Sequence, residues 1–166
     1  MKTLILVRHG KSSWKDIGIN DHDRPLNNRG ERDVPFMAKI ISKKGINPDL
    51  LISSTAVRAI ATAKGFAQEL GYERKKIITL KQLYLAELDG WLDAIHEIPD
   101  KENLVMAFGH NPGITNLVNF LTKNNIENLP TCGICSMIFK TDSWIGVEAG
   151  RGRLDFFDYP GIYLKD

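Results

Sequence analysis

The sequence predicts an α/β fold arranged as a three-layer sandwich, in which a mostly parallel central sheet has helices on both faces. Continuously apolar runs at 4–7, 50–52 and 104–108 are typical of strands buried on both sides. Longer segments after them place apolar residues at the spacing of one helix face. Strands that alternate with helices pair in parallel, and ligands of such sheets bind beyond the carboxyl ends of the strands. We therefore expect the functional site where the predicted strands end.

The first strand is predicted over residues 2–7 and is followed by a long loop. Residues 11–25 show neither a helical nor a strand period, which is typical of a loop that covers a site. Because proline disfavours a helix interior, Pro35 predicts that the regular part of the next helix begins near Asp33, and residues 27–32 could add a distorted first turn. The buried face of that helix is predicted to consist of Val34, Met37, Ala38 and Ile41.

Two further strand and helix pairs fill the middle of the chain. A strand at 50–52 precedes a helix that ends at Gly71, and a third strand is predicted over 76–80. A helix over 88–98 and a buried strand over 104–108 follow.

The last part of the chain is predicted to add one helix and two antiparallel or edge strands. Asn111 is a good helix cap and Pro112 suits the first helical position. Strands are predicted over 134–140 and 154–159, joined by a glycine-rich turn at 146–152.

Length and composition predict a single domain over residues 1–166, since domains typically have about 100–200 residues. With 43% hydrophobic residues, 25% charged residues and a net charge of +2, the composition excludes disorder for most of the chain. It also has no long basic segment that would bind nucleic acid. The first apolar run stops at Arg8, too short for a signal peptide, and no other run approaches a membrane span. We expect a cytoplasmic protein without nucleic-acid or membrane partners.

Side chains suited to phosphate chemistry follow three of the predicted strands. Arg8 and His9 come after the first strand, Arg58 lies just beyond the second, and His110 follows the fourth. The planar fork of arginine matches phosphate oxygens, and helix N-termini also favour anions. This pattern predicts a site for a phosphate ester or a phosphoramidate.

The two histidines suggest a division of roles within that site. A neutral imidazole can attack phosphorus with one ring nitrogen while the other donates a hydrogen bond, so His9 is the predicted nucleophile. His110 would donate to the phosphoryl oxygens, and Arg8 and Arg58 would hold the phosphate. Each residue alone has a simpler interpretation as a surface, ion-pairing or capping residue. Their placement after three strand ends favours a common site.

The sequence also contains residues typical of two other kinds of site, a metal site and a CxxC site. Asp21, His22 and Asp23, together with His9 and His110, offer nitrogen and oxygen ligands for a metal ion, but an irregular loop beside Arg24 favours a simple turn. The pair Cys132 and Cys135 forms one CxxC, which is either a redox pair or half of a zinc site. A second CxxC is absent from the sequence, and Cys135 leads into an alternating strand pattern rather than a helix. No metal or redox site is therefore predicted. The tryptophans are predicted to be packing residues: Trp14, Trp91 and Trp144.

The order of several motifs resembles the histidine phosphatase superfamily, which has the phosphoglycerate mutase-like fold. The motifs are Arg8-His9-Gly10 after the first strand, the segment 53–59 with Thr62-Ala63, and Gly109-His110. Within the superfamily, the short chain and the segments 24–30, 83–86, 110–112 and 128–131 are similar to the SixA-type phosphohistidine phosphatases.

The resemblance implies that His9 is transiently phosphorylated, that Arg8, Arg58 and His110 hold the phosphate, and that no metal or other cofactor is needed. It also identifies Ser12 and Arg24 as lesser contacts. The partner would be a phosphorylated protein or a small phosphorylated substrate.

Two departures from mutase-type members bear on the substrate. This sequence has Lys15 where those members have an asparagine, and Leu83 is not followed by their proton-donating glutamate. Glu87 could replace it only in a shifted register. Without an acid, phosphohistidine or another activated phosphate is favoured over a sugar phosphate, since an imidazole leaves more easily than an alkoxide. A small-molecule phosphomonoesterase of the same superfamily and a non-catalytic phosphate-binding module are the alternatives.

Overall fold

A six-stranded sheet organises the fold in the computed structural model, which describes residues 1–165. The strand order is β3-β2-β4-β1-β5-β6. Strands β1 to β4 are parallel, β5 runs antiparallel to β1, and β6 antiparallel to β5. The strands are β1 (Lys2–Arg8), β2 (Leu50–Ser54), β3 (Ile78–Leu80), β4 (Leu104–Gly109), β5 (Ile134–Phe139) and β6 (Gly152–Asp158). The predicted α/β class and mostly parallel sheet are confirmed.

Helices cover both faces of the sheet, as predicted. They are α1 (Asn28–Lys43), α2 (Val57–Leu70), α3 (Leu88–His96) and α4 (Gly113–Thr122). In β1, Ile5 and Val7 pack in one core cluster with residues of α1 and α2, whereas Leu4 and Leu6 pack in the other with residues of α3 and α4. Because successive side chains of a strand point to opposite faces, both sets are buried. This explains the continuous apolar run of the first strand.

Helix α1 begins at Asn28, so the prediction that its regular part begins near Asp33 is wrong, and residues 28–32 belong to the helix itself. The side chain of Asn27 accepts a hydrogen bond from the backbone N–H of Gly30 and caps the helix. Pro35 lies inside the helix, whose apolar face is buried on both sides of it. Capping and packing therefore outweigh the hydrogen bond that proline cannot donate.

Helix α4 begins one residue later than predicted. Pro112 occupies the N-cap, after a cis Asn111–Pro112 bond, and Gly113 is the first helical residue. The side chain of Asn111 still accepts from the backbone and hydroxyl of Thr115. A Cβ at Gly113 would lie 1.9 Å from the carbonyl oxygen of Ala86, so only glycine lets α4 approach the segment that precedes α3.

The remaining differences are at element ends. Strand β3 starts at Ile78 because residues 74–76 form a 3₁₀ turn. The connection between β5 and β6 is longer than the predicted turn and contains a 3₁₀ turn at 144–146. Within residues 1–165, no helix combines the length and apolar character needed to cross a membrane.

The close packing of α1 on α2 gives a test of the fold. A Cβ at Gly65 would lie 2.3 Å from Cγ1 of the buried Val34. We predict that Gly65→Ala lowers the free energy of unfolding by about 1–3 kcal/mol, measured by urea denaturation. The matched control is Gly90→Ala in α3, where the new Cβ would meet its nearest neighbour at 3.3 Å. Equal stabilities of the two variants would contradict this packing.

Candidate active site

The carboxyl ends of three adjacent strands bring the predicted site residues together. Arg8, the last residue of β1, lies opposite Gly109 of β4, and β2 pairs with the other edge of β4. His9 and His110 follow directly, and Arg58 lies in the first turn of α2. The expected convergence at the strand ends is therefore present in the structure.

His9 is held with one ring nitrogen free for chemistry. Its side chain is buried, and Nδ1 lies 2.7 Å from the backbone oxygen of Gly10. A carbonyl can only accept, so Nδ1 has the proton and Nε2 has the lone pair. Arg58 Nε donates toward Nε2 across 3.4 Å. Nε2 therefore lies beside the guanidinium that would hold a phosphoryl group.

His110 and Arg8 offer unused polar atoms beside His9. The rings of His110 and His9 have centroids 5.1 Å apart, and His110 Nε2 lies 2.8 Å from the hydroxyl oxygen of Ser54. Arg8 Nη1 donates to the backbone oxygen of Leu129. Within the described residues, His110 Nδ1 and Arg8 Nε are buried without a hydrogen-bond partner. Such groups are costly to bury, and the oxygens of a bound anion would satisfy donors here.

Both histidines are neutral near pH 7. Burial lowers the pKa of His9 to about 4, assisted by the charges of Arg58, Arg8 and Arg24 and opposed by the bond to Gly10. Burial, the neighbouring His9 and Arg58 lower the pKa of His110 to about 3. A neutral His9 keeps the lone pair that a nucleophile needs.

The site also contains Asp21, which the sequence predicted only as part of a turn. One carboxylate oxygen accepts from Arg58 Nη2 at 3.0 Å and from the hydroxyl of Tyr84, and the other accepts from Arg24 Nη2 at 2.9 Å. Burial alone would raise the pKa of Asp21, but the bonds from Tyr84, Arg58 and Arg24 outweigh it and hold the pKa below its usual range. Asp21 is therefore an anion among the predicted phosphate ligands.

Sequence reasoning missed the contributions of Tyr84 and Ser54. The ring of Tyr84 packs edge-on against His110, at a centroid distance of 5.5 Å, and against His22. Tyr84 and Ser54 belong to motifs of the family resemblance, but their spacing did not reveal these contacts. For Asp21, the signal was the long loop with a carboxylate three residues before Arg24.

Three residues to which the sequence assigned minor roles lie in different surroundings. They are the lesser phosphate contacts Ser12 and Arg24, and Glu87, the proton donor in a shifted register. Arg24 is buried beside Asp21, whereas Ser12 is buried and pairs with Leu26 in an isolated bridge. Glu87 is exposed at the N-cap of α3, on a surface cavity that it shares with Pro112.

One packing prediction is wrong. Trp91 and Trp144 are fully buried, but Trp14 is 69% exposed and stacks on Arg24, whose guanidinium carbon lies 3.5 Å from the ring centroid. A cation bound to an aromatic face explains how the ring is held at the surface.

The alternative sites gain no support from the geometry. His22 Nε2 bonds to the hydroxyl of Thr55, and no group of three or more His, Cys, Asp or Glu side chains within residues 1–165 is placed to hold a metal ion. Cys132 and Cys135 are buried free thiols. Burial raises the pKa of both, to about 12 for Cys135, which disfavours the reactive thiolate.

The strand ends of this α/β sheet hold two neutral histidines among arginines, an arrangement suited to binding an anion such as a phosphate. The model of the histidine phosphatase superfamily (branch 1) matches residues 4–108, and the chain belongs to this superfamily. Membership of this superfamily supports phosphatase activity for this chain.

Three proteins illustrate the similarity. An uncharacterized chloroplastic protein of Arabidopsis thaliana is 34% identical over 152 residues, which are 86% of this chain and 69% of that protein. The mitochondrial serine/threonine-protein phosphatase Pgam5 of Drosophila ananassae is 37% identical over 84 residues, 51% of this chain and 28% of that protein. The crystal structure of a protein assigned as phosphohistidine phosphatase SixA from Agrobacterium tumefaciens has a TM-score of 0.82 and 25% identity, covering 96% of this chain and 98% of that one.

The low pKa values of the two histidines predict a pH-dependent stability. An unfolded histidine binds a proton near pH 6.5, whereas folded His9 and His110 bind one only near pH 4 and pH 3. The unfolded state therefore binds more protons in this window, and stability falls as the pH falls from about 6.5. We predict a loss of about 1–2 kcal/mol per histidine between pH 7 and pH 5, measured by urea denaturation.

The matched variants are His110→Gln, which should lose less stability over this interval than the wild type, and His22→Gln at a position where the side chain is 39% exposed, which should lose as much. Identical pH profiles for the wild type and His110→Gln would show that His110 is not buried as a neutral group.

Proposed function

We propose that the chain is a metal-independent phosphatase that hydrolyses phosphohistidine, or a similarly activated phosphate, through a covalent phospho-His9 intermediate. The observation on which this depends is the hydrogen bond from His9 Nδ1 to Gly10, which leaves the Nε2 lone pair beside Arg58. The partner is a phosphorylated protein or a small phosphorylated molecule. A cytoplasmic location remains a prediction from the sequence.

The reaction has two displacements at phosphorus. In the first, His9 Nε2 forms a bond to phosphorus while the bond from phosphorus to the leaving imidazole breaks, and the leaving group takes a proton from solvent. In the second, water forms a bond to phosphorus while the bond from phosphorus to His9 Nε2 breaks, the proton of the water passes to solvent, and phosphate and neutral His9 are released. Arg8, Arg58 and His110 stabilise the charge on the transferring oxygens in both steps.

The acidic groups near the histidines support an activated substrate, because none of those within residues 1–165 is well placed to protonate a leaving alkoxide. Tyr84 donates its hydroxyl hydrogen to Asp21, and Asp21 itself is kept ionised by two arginines. Glu87 lies exposed at the start of α3. Because an imidazole departs with less assistance than an alkoxide, this supports phosphohistidine over a sugar phosphate. The likeness to the SixA-type structure supports the same choice.

The alternatives are a phosphomonoesterase of the same superfamily and a binding module without turnover. The similarity to Pgam5 favours a phosphoserine substrate within the first alternative. Initial rates on a phosphohistidine peptide, a phosphoserine peptide and a sugar phosphate would separate these possibilities. We expect the highest kcat/KM on the phosphohistidine peptide. If even p-nitrophenyl phosphate, whose leaving group needs no acid, is not turned over, the binding module is the alternative that remains.

The arginines give a prediction about charge and shape. We expect Arg58→Ala and Arg8→Ala each to lower kcat/KM on p-nitrophenyl phosphate by about 10²-fold or more, since each removes a donor to the transferring oxygens. Arg58→Lys should recover little of this loss, because an ammonium cannot replace the guanidinium fork. Circular dichroism would check that the fold is kept, and Lys64→Ala on the same helix is the control. Wild-type rates in the Arg58 and Arg8 variants would remove these residues from the site.

The covalent step gives the most direct prediction. Rapid quenching during turnover of a ³²P-labelled phosphohistidine peptide, with EDTA present, should trap a protein-bound phosphate that is labile to acid and stable to base. Peptide mapping should place it on His9. His9→Ala should neither label nor turn over, whereas His110→Ala should label slowly because it loses charge stabilisation and keeps the nucleophile.

The proposal fails if the label lies on a serine or on either cysteine, or if His9→Ala keeps steady turnover. Loss of wild-type labelling in EDTA, restored by zinc or magnesium, would revive the metal site that the sequence suggested at Asp21, His22 and Asp23.

A further inference from the structure

The proposed mechanism leaves one charged group of the site unexplained. Asp21 places a carboxylate among residues that would bind a phosphoryl group, and its side chain contacts Arg58, Arg24 and Tyr84. Like charges close together in a site are unfavourable. An anionic substrate therefore meets a resident anion where it is expected to bind.

Each of the three nitrogens of the Arg58 guanidinium already has a partner in this arrangement. Its Nη1 donates to the backbone oxygen of Asp21 at 2.6 Å, its Nη2 to the carboxylate at 3.0 Å, and its Nε faces His9. A phosphoryl group bound beside His9 needs the outer nitrogens of this same fork. The substrate and the Asp21 carboxylate would thus both bind at Nη2, where their negative charges oppose each other.

The carboxylate can leave Arg58 without unfolding the loop. The Asp21 side chain is 44% exposed, so water can solvate it when it turns away. The loop itself is anchored by backbone bonds from Ser13 to Pro25 and from Asn27 to Lys11, which do not involve Asp21. Displacement therefore exchanges one anion for another at the arginines and leaves the backbone in place.

We infer that Asp21 is an internal competitor of the phosphoryl group, and that its return to Arg58 and Arg24 helps to expel the phosphate product. This inference rests on the proposed function only in placing the phosphoryl group at Arg58. The opposing possibility is that Asp21 merely orients the two arginines. The two differ in sign, because removing a competitor strengthens anion binding, whereas removing a support weakens it.

The test is the affinity for inorganic phosphate, measured by isothermal titration calorimetry on the whole chain at pH 7.5. Asp21→Asn keeps the shape of the side chain and removes its charge. Asp23→Asn is the matched control, since Asp23 lies in the same 3₁₀ turn, is more exposed and pairs with His22 rather than with an arginine. We expect Asp21→Asn to bind phosphate at least tenfold more tightly than Asp23→Asn, which should bind like the wild type. Phosphate should also become a stronger product inhibitor in Asp21→Asn.

Equal or weaker binding by Asp21→Asn, while Arg58→Ala reduces the affinity, would overturn the competitor role and leave the proposed function intact. Phosphate binding that is unchanged by Arg58→Ala would overturn both, because the anion would then bind away from this site. An increase of the same size in Asp23→Asn would also overturn the inference, since it would reflect the net charge of the loop alone.

Discussion

Burial of the central strands on both faces is the constraint on which the structure depends. Strand β1 lies between β4 and β5, and its residues from Leu4 to Val7 are fully buried. Such a strand has no room for charged side chains along its length, because each would need a partner in the core. Charged groups are therefore confined to the strand ends. The candidate site lies at the carboxyl ends, where Arg8 is the last residue of β1 and His9 and His110 follow β1 and β4.

The same enclosure sets the electrostatics of the site. His9 and His110 lie close enough to the core for burial to favour their neutral forms, and the arginines around them add repulsion against a proton. Arginine retains its charge in such surroundings, as lysine often does not. The site therefore combines a cationic frame with uncharged imidazoles.

The sequence was informative about elements whose signal is local. The both-faces burial of β1 and β4 follows from unbroken apolar runs, and three strand ends in a parallel sheet necessarily meet at one edge. The start of α1 was misplaced because the weight given to Pro35 exceeded that given to the cap at Asn27. Trp14 was misplaced because its stacking partner, Arg24, lies ten residues away in a loop without a period. Asp21 and Tyr84 are separated by 63 residues, so no local pattern predicts their hydrogen bond.

Under the proposed function, a bound phosphoryl group would change the charges that act on His110. The positive charges of Arg58 and Arg8 lower the pKa of His110, and the carboxylate of Asp21 partly offsets them. A dianion placed at the arginines would add negative charge beside His110 and weaken the repulsion against a proton, which would raise the pKa of His110. A protonated His110 donates a stronger hydrogen bond to the transferring oxygens than a neutral one. Under the proposed function, the substrate would thus strengthen the group that stabilises its own transition state, while the arginines would keep His110 uncharged and His9 nucleophilic before the substrate binds.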